Sequence, residues 1–237
     1  MYTEEPKQLV EYARERLREA ILTNQLKASD SFSQVQLARE FGISRTPLRE
    51  AVRLLEHEGL ATVNFNRRVT VSELTPKDLD SLYATRILLE SLALHTNITK
   101  MDQAFLETSR QRLLDMREFE KVHDVENWSK VHREFHLQLV LGTGARIDQQ
   151  IQHYFDHSER YRRLYLGDSD RNWNKGMSDH SDLQHACETG DRFNAVRILT
   201  KHYESTAFGV LEVIDPNYSP DLMIAAKTMT KGLIFLE

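Results

Sequence analysis

Four histidines are spaced so that together they could bind one metal ion. His132 and His136 lie four residues apart, which places both side chains on one face of a helix. Phe135 and Leu139 share that face, so both imidazoles are expected to point into a core. A single histidine that points inward is more often a hydrogen-bonded core residue, and this alternative stays open for each of them.

His180 and His202 form the second pair. On one unbroken helix these two residues would be roughly 33 Å apart. Gly190 and Asp191 interrupt the run between them, and Asp191 can cap the helix that follows. If the two helices fold back about position 191, each histidine lies 11 residues from the turn, so both return to the same level.

Four imidazoles from three helices at one depth suit a divalent transition metal, with zinc as the first expectation and nickel as the alternative. A zinc site with an open position can activate water, which would make the protein a metalloenzyme. Glu134 is the nearest carboxylate in sequence, but it faces about 160–200° away from the two histidines beside it. The sequence therefore predicts no enzyme. A metal that only stiffens the fold is a third hypothesis.

A second set of candidate residues lies on a helix predicted within residues 43–59. Its apolar stripe is formed by Leu48, Ala51, Val52 and Leu55. Ser44 can cap the start of this helix and Gly59 can end it. The opposite face carries polar and cationic side chains, namely Arg45, Thr46, Arg49 and Arg53. Arginine near a helix N-terminus can pair twice with guanine in a major groove, whereas the alternative is an ordinary solvated basic face.

The elements around this helix predict a winged helix-turn-helix. Helical spacing indicates helices at 6–23 and 34–41, with a loop at 24–32 between them. Two β-prone runs follow the arginine helix and predict a hairpin, which would form the wing. Arg67 and Arg68 at its tip could reach phosphate or a minor groove.

The rest of the chain predicts an antiparallel all-helical bundle. Thr75 can cap and Pro76 can open its first helix, within a linker assigned to residues 73–77. Stretch 167–176 is rich in Gly, Asp and Asn, and it is expected to be a loop. The helical patterns fall at 76–97, 101–120, 124–141, 146–166, 177–189, 191–213 and 219–232. The predicted fold is thus mainly α, with domains at 1–72 and 78–237.

Composition adds limits on location and partners. The chain of 237 residues has a net charge of −5, with 11 Lys and Arg against 10 Asp and Glu in residues 1–72. A near-neutral domain can still bind DNA if its cations cluster. No run of eighteen apolar residues is present, so no membrane span is expected. The single cysteine, Cys187, excludes an intrachain disulfide, and the N-terminus lacks the apolar core of a signal peptide, which together indicate a cytoplasmic protein.

Two stretches of the sequence resemble a known family. LAREFGISRTPLREAVRLLEHEGL, followed by a short hairpin, resembles the N-terminal winged helix of the GntR transcription regulators. HREFHLQLV and HSDLQHACETGDRFNAVRILTKH look like the FCD effector domain of the FadR branch of that family. The resemblance implies a ligand-responsive, sequence-specific regulator, expected to be a repressor. It also implies a homodimer that binds an inverted repeat in double-stranded operator DNA.

The resemblance also assigns residues to DNA contact. Carried over position by position, the contacts fall on Ser44, Arg45, Thr46, Arg49, Asn66 and Arg67. The family usually has glycine at the wing tip, where this chain has Arg68.

In the effector domain, many members of the family hold a metal through Asp or Asn and three histidines. The three histidines map onto His136, His180 and His202, and His132 stands where the family has Asp. Loss of that carboxylate leaves the metal charge uncompensated, which should favour an anionic effector such as a carboxylate or sugar acid. Arg86 matches a position that often lines the effector cavity. Its alternative role is a salt bridge to Glu90, one helical turn away.

Overall fold

The structure is a computed structural model, which describes residues 6–64, 68–166 and 170–232. Contacts within the chain divide it into two compact units, Met1–Leu74 and Thr75–Glu237. The described residues form ten α-helices and three short strands, which confirms the mainly α fold class.

The first unit combines three helices with a small antiparallel sheet. The strand order is β1-β3-β2, so β3 pairs with both neighbours. Within it, Val69 lies opposite Phe32 on one side and opposite Val63 on the other. The elements are α1 (Pro6–Leu22), β1 (Ser31–Ser33), α2 (Gln34–Glu40), α3 (Arg45–His57), β2 (Ala61–Val63) and β3 (Arg68–Val71).

Helix α3 packs its apolar stripe into the core of this unit. The stripe residues Leu48, Ala51, Val52 and Leu55 are each 0% exposed. Gly59 follows the helix with φ +76°, a left-handed conformation that glycine adopts without strain. Ser44 is the N-cap residue, but its side chain makes no capping hydrogen bond, so the expected mechanism of capping was wrong.

The sheet differs from the sequence prediction in one strand. The hairpin of β2 and β3 is confirmed, whereas β1 lies in a stretch expected to be a loop. Strand β1 has only three residues, and Phe32 is its one large apolar side chain, so its sequence shows no alternation of apolar and polar residues. The strand depends on pairing with β3. Asn66 and Arg67, the two predicted DNA contacts in the wing, lie outside the described residues.

The second unit is helical throughout the part that the structure describes. Thr75 caps its first helix by accepting a hydrogen bond from the Asp78 N–H at 3.2 Å. Pro76 and Lys77, which fall both in the assigned linker and in the predicted helix 76–97, are the first two helical residues. The helices are α4 (Pro76–Asn97), α5 (Gln103–Lys121), α6 (Val125–Val140), α7 (Ala145–Leu166), α8 (Asp170–Glu188), α9 (Arg192–Ile214) and α10 (Asp221–Gly232), with a 3-10 turn at Ile98–Lys100. None of the described helices is long and apolar enough to span a membrane.

Helix α8 begins earlier than predicted. Residues 170–176 were expected to belong to a loop, but they form its first two turns. The low helix propensity of Asp, Asn and Gly costs at most about 1 kcal/mol per residue. Extending an existing helix adds one hydrogen bond for each residue ordered, so such a cost is readily overcome.

Helix α4 organises the second unit, because it packs against α7, α9 and α10. The buried carboxylate of Asp80 on α4 accepts hydrogen bonds from the backbone N–H groups of Leu222 and Met223 at 3.2 and 2.8 Å. These two donors belong to the first turn of α10, so a side chain of α4 satisfies that helix end. Helix α8 packs against α5 and α9.

Helices α7 and α9 approach closely at Gly209. A Cβ atom at this position would overlap the ring of Tyr165 on α7. A small residue is therefore required on α9 where the ring crosses it. At Gly176 on α8, by contrast, a Cβ atom would meet only the Cε1 atom of His180, at 3.9 Å.

We expect Gly209→Ala to lower the free energy of unfolding by about 1–2 kcal/mol, because overpacking against Tyr165 exceeds the gain in helix propensity. The matched change Gly176→Ala should raise it by about 0.5–1 kcal/mol, since propensity acts there without a clash. Urea unfolding followed by circular dichroism measures both. Stabilisation by Gly209→Ala would show that α7 and α9 are less closely packed than described.

Candidate functional site

The predicted DNA-contacting residues of α3 lie on the surface. The four that the structure describes are all exposed, namely Ser44, Arg45, Thr46 and Arg49. Arg49 Nε lies 3.8 Å from Glu50 Oε1, an exposed pair that contributes little to stability. Among the described residues, no ion-pair partner is found for Arg45. The cationic face of α3 is thus available to an external partner.

The four predicted histidines come together in the interior of the second unit. One nitrogen from each ring lies within 4.8 Å of the others, and all four residues are buried. We call His132, His136, His180 and His202 the histidine cluster. The helical hairpin that brings two of them together forms as predicted: Gly190 has φ +69°, and Asp191 Oδ1 accepts from the Asn194 N–H at 3.0 Å.

Neighbouring side chains contact the outer nitrogen of three cluster histidines. His202 Nδ1 lies 3.4 Å from Asp179 Oδ2, and His136 Nδ1 lies 3.4 Å from the Tyr203 hydroxyl. The Nδ1 atom of His132 lies 2.5 Å from Arg162 Nη1. On the inner side, the Nε2 atoms of His136 and His180 are 2.9 Å apart.

Burial keeps three of these imidazoles uncharged. It lowers the pKa of His132, His136 and His180 well below the usual value, because the charged form would lose its hydration. The neighbouring cluster histidines and the guanidinium of Arg162 lower each pKa further by repulsion. The neutral imidazole is the form that binds a metal.

The cluster fits a divalent transition metal. His132 Nε2 and His180 Nδ1 are buried without a hydrogen-bond partner, an arrangement that is costly unless something else satisfies them. In a tetrahedral zinc site with Zn–N bonds of about 2.0–2.1 Å the ligand nitrogens lie about 3.3–3.4 Å apart, so the observed spread of up to 4.8 Å requires the rings to move inward by about 1 Å. An all-imidazole set suits zinc, nickel or cobalt better than magnesium or calcium.

Arg86 takes part in a buried network rather than standing free. Its Nε donates to Glu90 Oε1 at 2.7 Å, and its Nη1 donates to Ser158 Oγ at 2.8 Å. Burial opposes the charge of Arg86, but the attraction of Glu90 outweighs it, so the pKa of Arg86 is raised. The Tyr203 hydroxyl donates to Glu90 Oε2 at 2.5 Å. The alternative predicted for Arg86, a salt bridge to Glu90, is the one observed.

Arg162 on α7 is a site residue that the sequence analysis missed. It is 6% exposed, its Nη2 pairs with the Glu159 carboxylate, and its guanidinium lies 5.4 Å from the ring of Trp128. Burial lowers the pKa of Arg162 to about 9, which leaves it cationic at neutral pH. Its spacing from Phe155 and Ser158 puts it on the buried stripe of α7, and this was the available signal.

Glu134 is exposed and lies 3.6 Å from Arg112, measured from its Oε2 to the arginine Nε. It therefore faces away from the histidine cluster, as the helical spacing predicted.

Comparison with known proteins assigns the family. The profile of the FCD domain matches residues 81–205, and that of the bacterial regulatory proteins of the gntR family matches residues 9–71. The chain belongs to the GntR family. This GntR protein is a DNA-binding transcriptional regulator with an FCD effector domain, and its histidine cluster lies on helices within that domain. The relatives reported below are regulators rather than enzymes, in agreement with the prediction that the chain is not an enzyme.

The similarity extends to named relatives and solved structures. The HTH-type transcriptional regulator YdhC of Bacillus subtilis (strain 168) is 35% identical over 158 residues, which cover 64% of this chain and 69% of the relative. The gluconate operon transcriptional repressor of the same organism is 22% identical, covering 91% of this chain and 87% of the repressor. The structure of E. coli McbR/YncC has a TM-score of 0.76 at 19% identity, covering 86% of this chain and 98% of that one, which shows a shared fold.

The buried imidazoles should make the metal-free GntR protein sensitive to acid. In the folded protein the pKa values of these histidines are lowered, whereas in the unfolded chain a histidine has a pKa of about 6.5. Below that pH the unfolded chain therefore binds more protons than the folded protein. The free energy of unfolding is thus highest above a pH of about 6.5 and decreases as the pH falls. Each of the three histidines changes the free energy of unfolding by up to about 1.4 kcal/mol per pH unit. Together they should lower it by about 4 kcal/mol between pH 7.5 and pH 5.5. Urea unfolding in the presence of a chelator measures this.

The variant His180→Gln should remove about a third of that slope. His57→Gln, which changes an exposed histidine of α3, is the matched control and should leave the slope unchanged. An unaltered slope in His180→Gln would contradict the buried, neutral state of the cluster.

Proposed function

We propose that this GntR protein is a repressor whose FCD domain binds a divalent metal and a small anionic effector. The observation that carries the proposal is the buried histidine cluster within the effector domain, whose nitrogens lie within 4.8 Å of one another. Relatives named as repressors, such as the gluconate operon repressor of Bacillus subtilis, support the direction of the response.

The proposed DNA contact is made by the N-terminal part of α3. Arg45 and Arg49 are exposed there, and an arginine can donate two hydrogen bonds to guanine in the major groove. Ser44 and Thr46 are proposed to contact the DNA backbone beside them. Two copies of the chain would place two such helices in successive major grooves, so the operator is expected to be an inverted repeat. Asn66 and Arg67 remain the proposed wing contacts.

The proposed metal ligands lie within the histidine cluster, and zinc and nickel are the expected ions. A metal bound there supplies a Lewis-acidic positive charge in a buried site. Imidazoles are neutral, so this charge is not compensated by the cluster itself. A carboxylate or sugar acid bound at the cluster would compensate it.

Arg162 is the cation that we propose to assist the effector, in place of Arg86. Both guanidiniums are buried beside the cluster, but Arg86 is bound on two sides by Glu90 and Ser158. The Nε atom of Arg162 is buried and makes no hydrogen bond. A buried donor without a partner is costly, and an anionic oxygen would satisfy it.

The proposed DNA contact is tested with a duplex selected from random sequences by binding to the purified protein. In mobility shifts, we expect Arg45→Ala and Arg49→Ala each to weaken binding to this duplex about 10- to 100-fold, which is the loss of one bidentate base contact. Binding to a scrambled duplex should change much less. Lys121→Ala removes an exposed cation of the effector domain and is the matched control. Equal affinity of the unaltered protein for selected and scrambled duplexes would refute sequence-specific recognition.

The proposed metal is tested by elemental analysis, melting temperature and release from DNA. We expect about one zinc or nickel ion per chain, lost on His136→Ala and retained on His57→Ala. Removal by a chelator should lower the melting temperature and abolish release of the selected duplex by a panel of acetate, citrate, lactate and gluconate. If chelation lowers the melting temperature and an active compound from the panel still releases DNA, the metal is purely structural.

A further inference from the structure

The tautomers of three cluster histidines follow from the side chain at the outer nitrogen. Nδ1 of His180 has no hydrogen-bond partner among the described residues, so no side chain there prevents His180 from presenting the lone pair of Nε2 to a metal. The Asp179 carboxylate lies 3.4 Å from His202 Nδ1 and, when ionised, offers only acceptor atoms, so it favours the tautomer with the proton on Nδ1 and the lone pair on Nε2. Tyr203 donates its hydroxyl proton to Glu90, so its oxygen is left to accept from His136 Nδ1. These two histidines are thus held in the tautomer that binds a metal through Nε2.

His132 is held in the opposite tautomer. Its Nδ1 lies 2.5 Å from Nη1 of Arg162, and a guanidinium has five donors and no acceptor. Nδ1 must therefore be the acceptor, which puts the proton of the neutral imidazole on Nε2. That Nε2 is buried without a hydrogen-bond partner. A nitrogen that carries a proton has no lone pair to give to a metal.

The ring of His132 is also fixed in orientation. It stacks on the indole of Trp128, with centroids 4.5 Å apart and planes 20° apart. Rotating the ring by half a turn would replace Nδ1 by a carbon opposite Arg162, leaving a buried guanidinium donor without its acceptor. Such a loss costs the full desolvation of a charged donor, so the observed orientation is strongly favoured.

We propose that the metal is held by His136, His180 and His202, and that His132 instead donates from Nε2–H to an oxygen of a bound anion, in a tautomer set by Arg162. This inference rests on the proposed function, and it names the role of one residue within it. His132 then selects ligands that accept a hydrogen bond, such as carboxylates, and disfavours amines of the same size.

Cobalt(II) is the probe for the number of ligands, because each imidazole bound to it gives one strongly shifted, exchangeable N–H resonance. The unaltered protein should show three such resonances. His132→Ala should keep all three and change the Kd for cobalt by less than about threefold. The comparison variant His136→Ala should lose one resonance and weaken cobalt binding by more than 100-fold. Competition with a chromophoric chelator measures the affinities.

Substitution of Arg162 tests the cause of the tautomer. The amide oxygen of Arg162→Gln can accept a hydrogen bond from Nδ1–H, so His132 should change tautomer and add a fourth shifted resonance. Cobalt affinity should then rise about tenfold. Arg162→Lys keeps a side chain that only donates, so it should show three resonances. Circular dichroism and melting temperature establish that each variant is folded.

The role of His132 as a hydrogen-bond donor is tested by acetate binding to the cobalt-loaded protein. The visible spectrum of the bound cobalt measures this binding. His132→Ala should weaken acetate binding about tenfold, the usual effect of losing one hydrogen bond to a charged group. His132→Gln should restore most of it, because the glutamine amide N–H reaches close to the position of Nε2. Unchanged acetate affinity in His132→Ala would overturn the donor role.

Two results distinguish failure of this inference about His132 from failure of the proposed metal site. Four shifted resonances in the unaltered protein, or equal weakening of cobalt binding by His132→Ala and His136→Ala, would make His132 a ligand and overturn the inference while leaving the metal-dependent regulator intact. Failure of the unaltered protein to bind cobalt, zinc or nickel would overturn the metal site itself and the inference with it.

Discussion

The structure of the effector domain depends on how four buried imidazoles are satisfied. Burial disfavours the charged forms of His132, His136 and His180, and a neutral imidazole needs an acceptor for its one proton and a partner for its one lone pair. Side chains from other positions meet part of this need: Asp179 from α8, Tyr203 from α9 and Arg162 from α7. The cluster itself spans α6, α8 and α9, so four helices must keep their positions for the hydrogen bonds to persist. A group in the centre would complete what the side chains leave unsatisfied.

A second buried network supports the first. Ser158 on α7, Arg86 and Glu90 on α4 and Tyr203 on α9 are joined by hydrogen bonds, and the last of these residues contacts His136. Removing one partner of a buried ion pair leaves an uncompensated charge, which is far more costly than the net contribution of the pair. The network therefore fixes the orientation of one cluster histidine through α4, the helix against which α7, α9 and α10 pack. A shift of α4 would be transmitted to the cluster.

Sequence reasoning found the parts of the fold and site that local patterns determine. The start of α4 was predicted from Thr75 and Pro76, and the helical hairpin at Asp191 followed from one capping residue and one glycine. Strand β1 was missed because its three residues acquire their conformation by pairing with a strand nearly forty positions away. Arg162 was missed for a similar reason: a charged residue on an apolar stripe is ordinarily solvated, and only the folded chain shows that it faces His132. The tautomers of the cluster follow from such long-range contacts and could not be predicted from spacing.

The depth of the histidine cluster has a consequence for timing. Its four residues are between 0% and 7% exposed, so they present almost no surface to solvent. A metal or effector bound at the cluster, as proposed, would then exchange with solvent through local separation of the helices, and such openings are far slower than diffusion through an open cleft. Slow exchange of this kind would make the proposed regulator respond to the average concentration of its effector rather than to brief fluctuations.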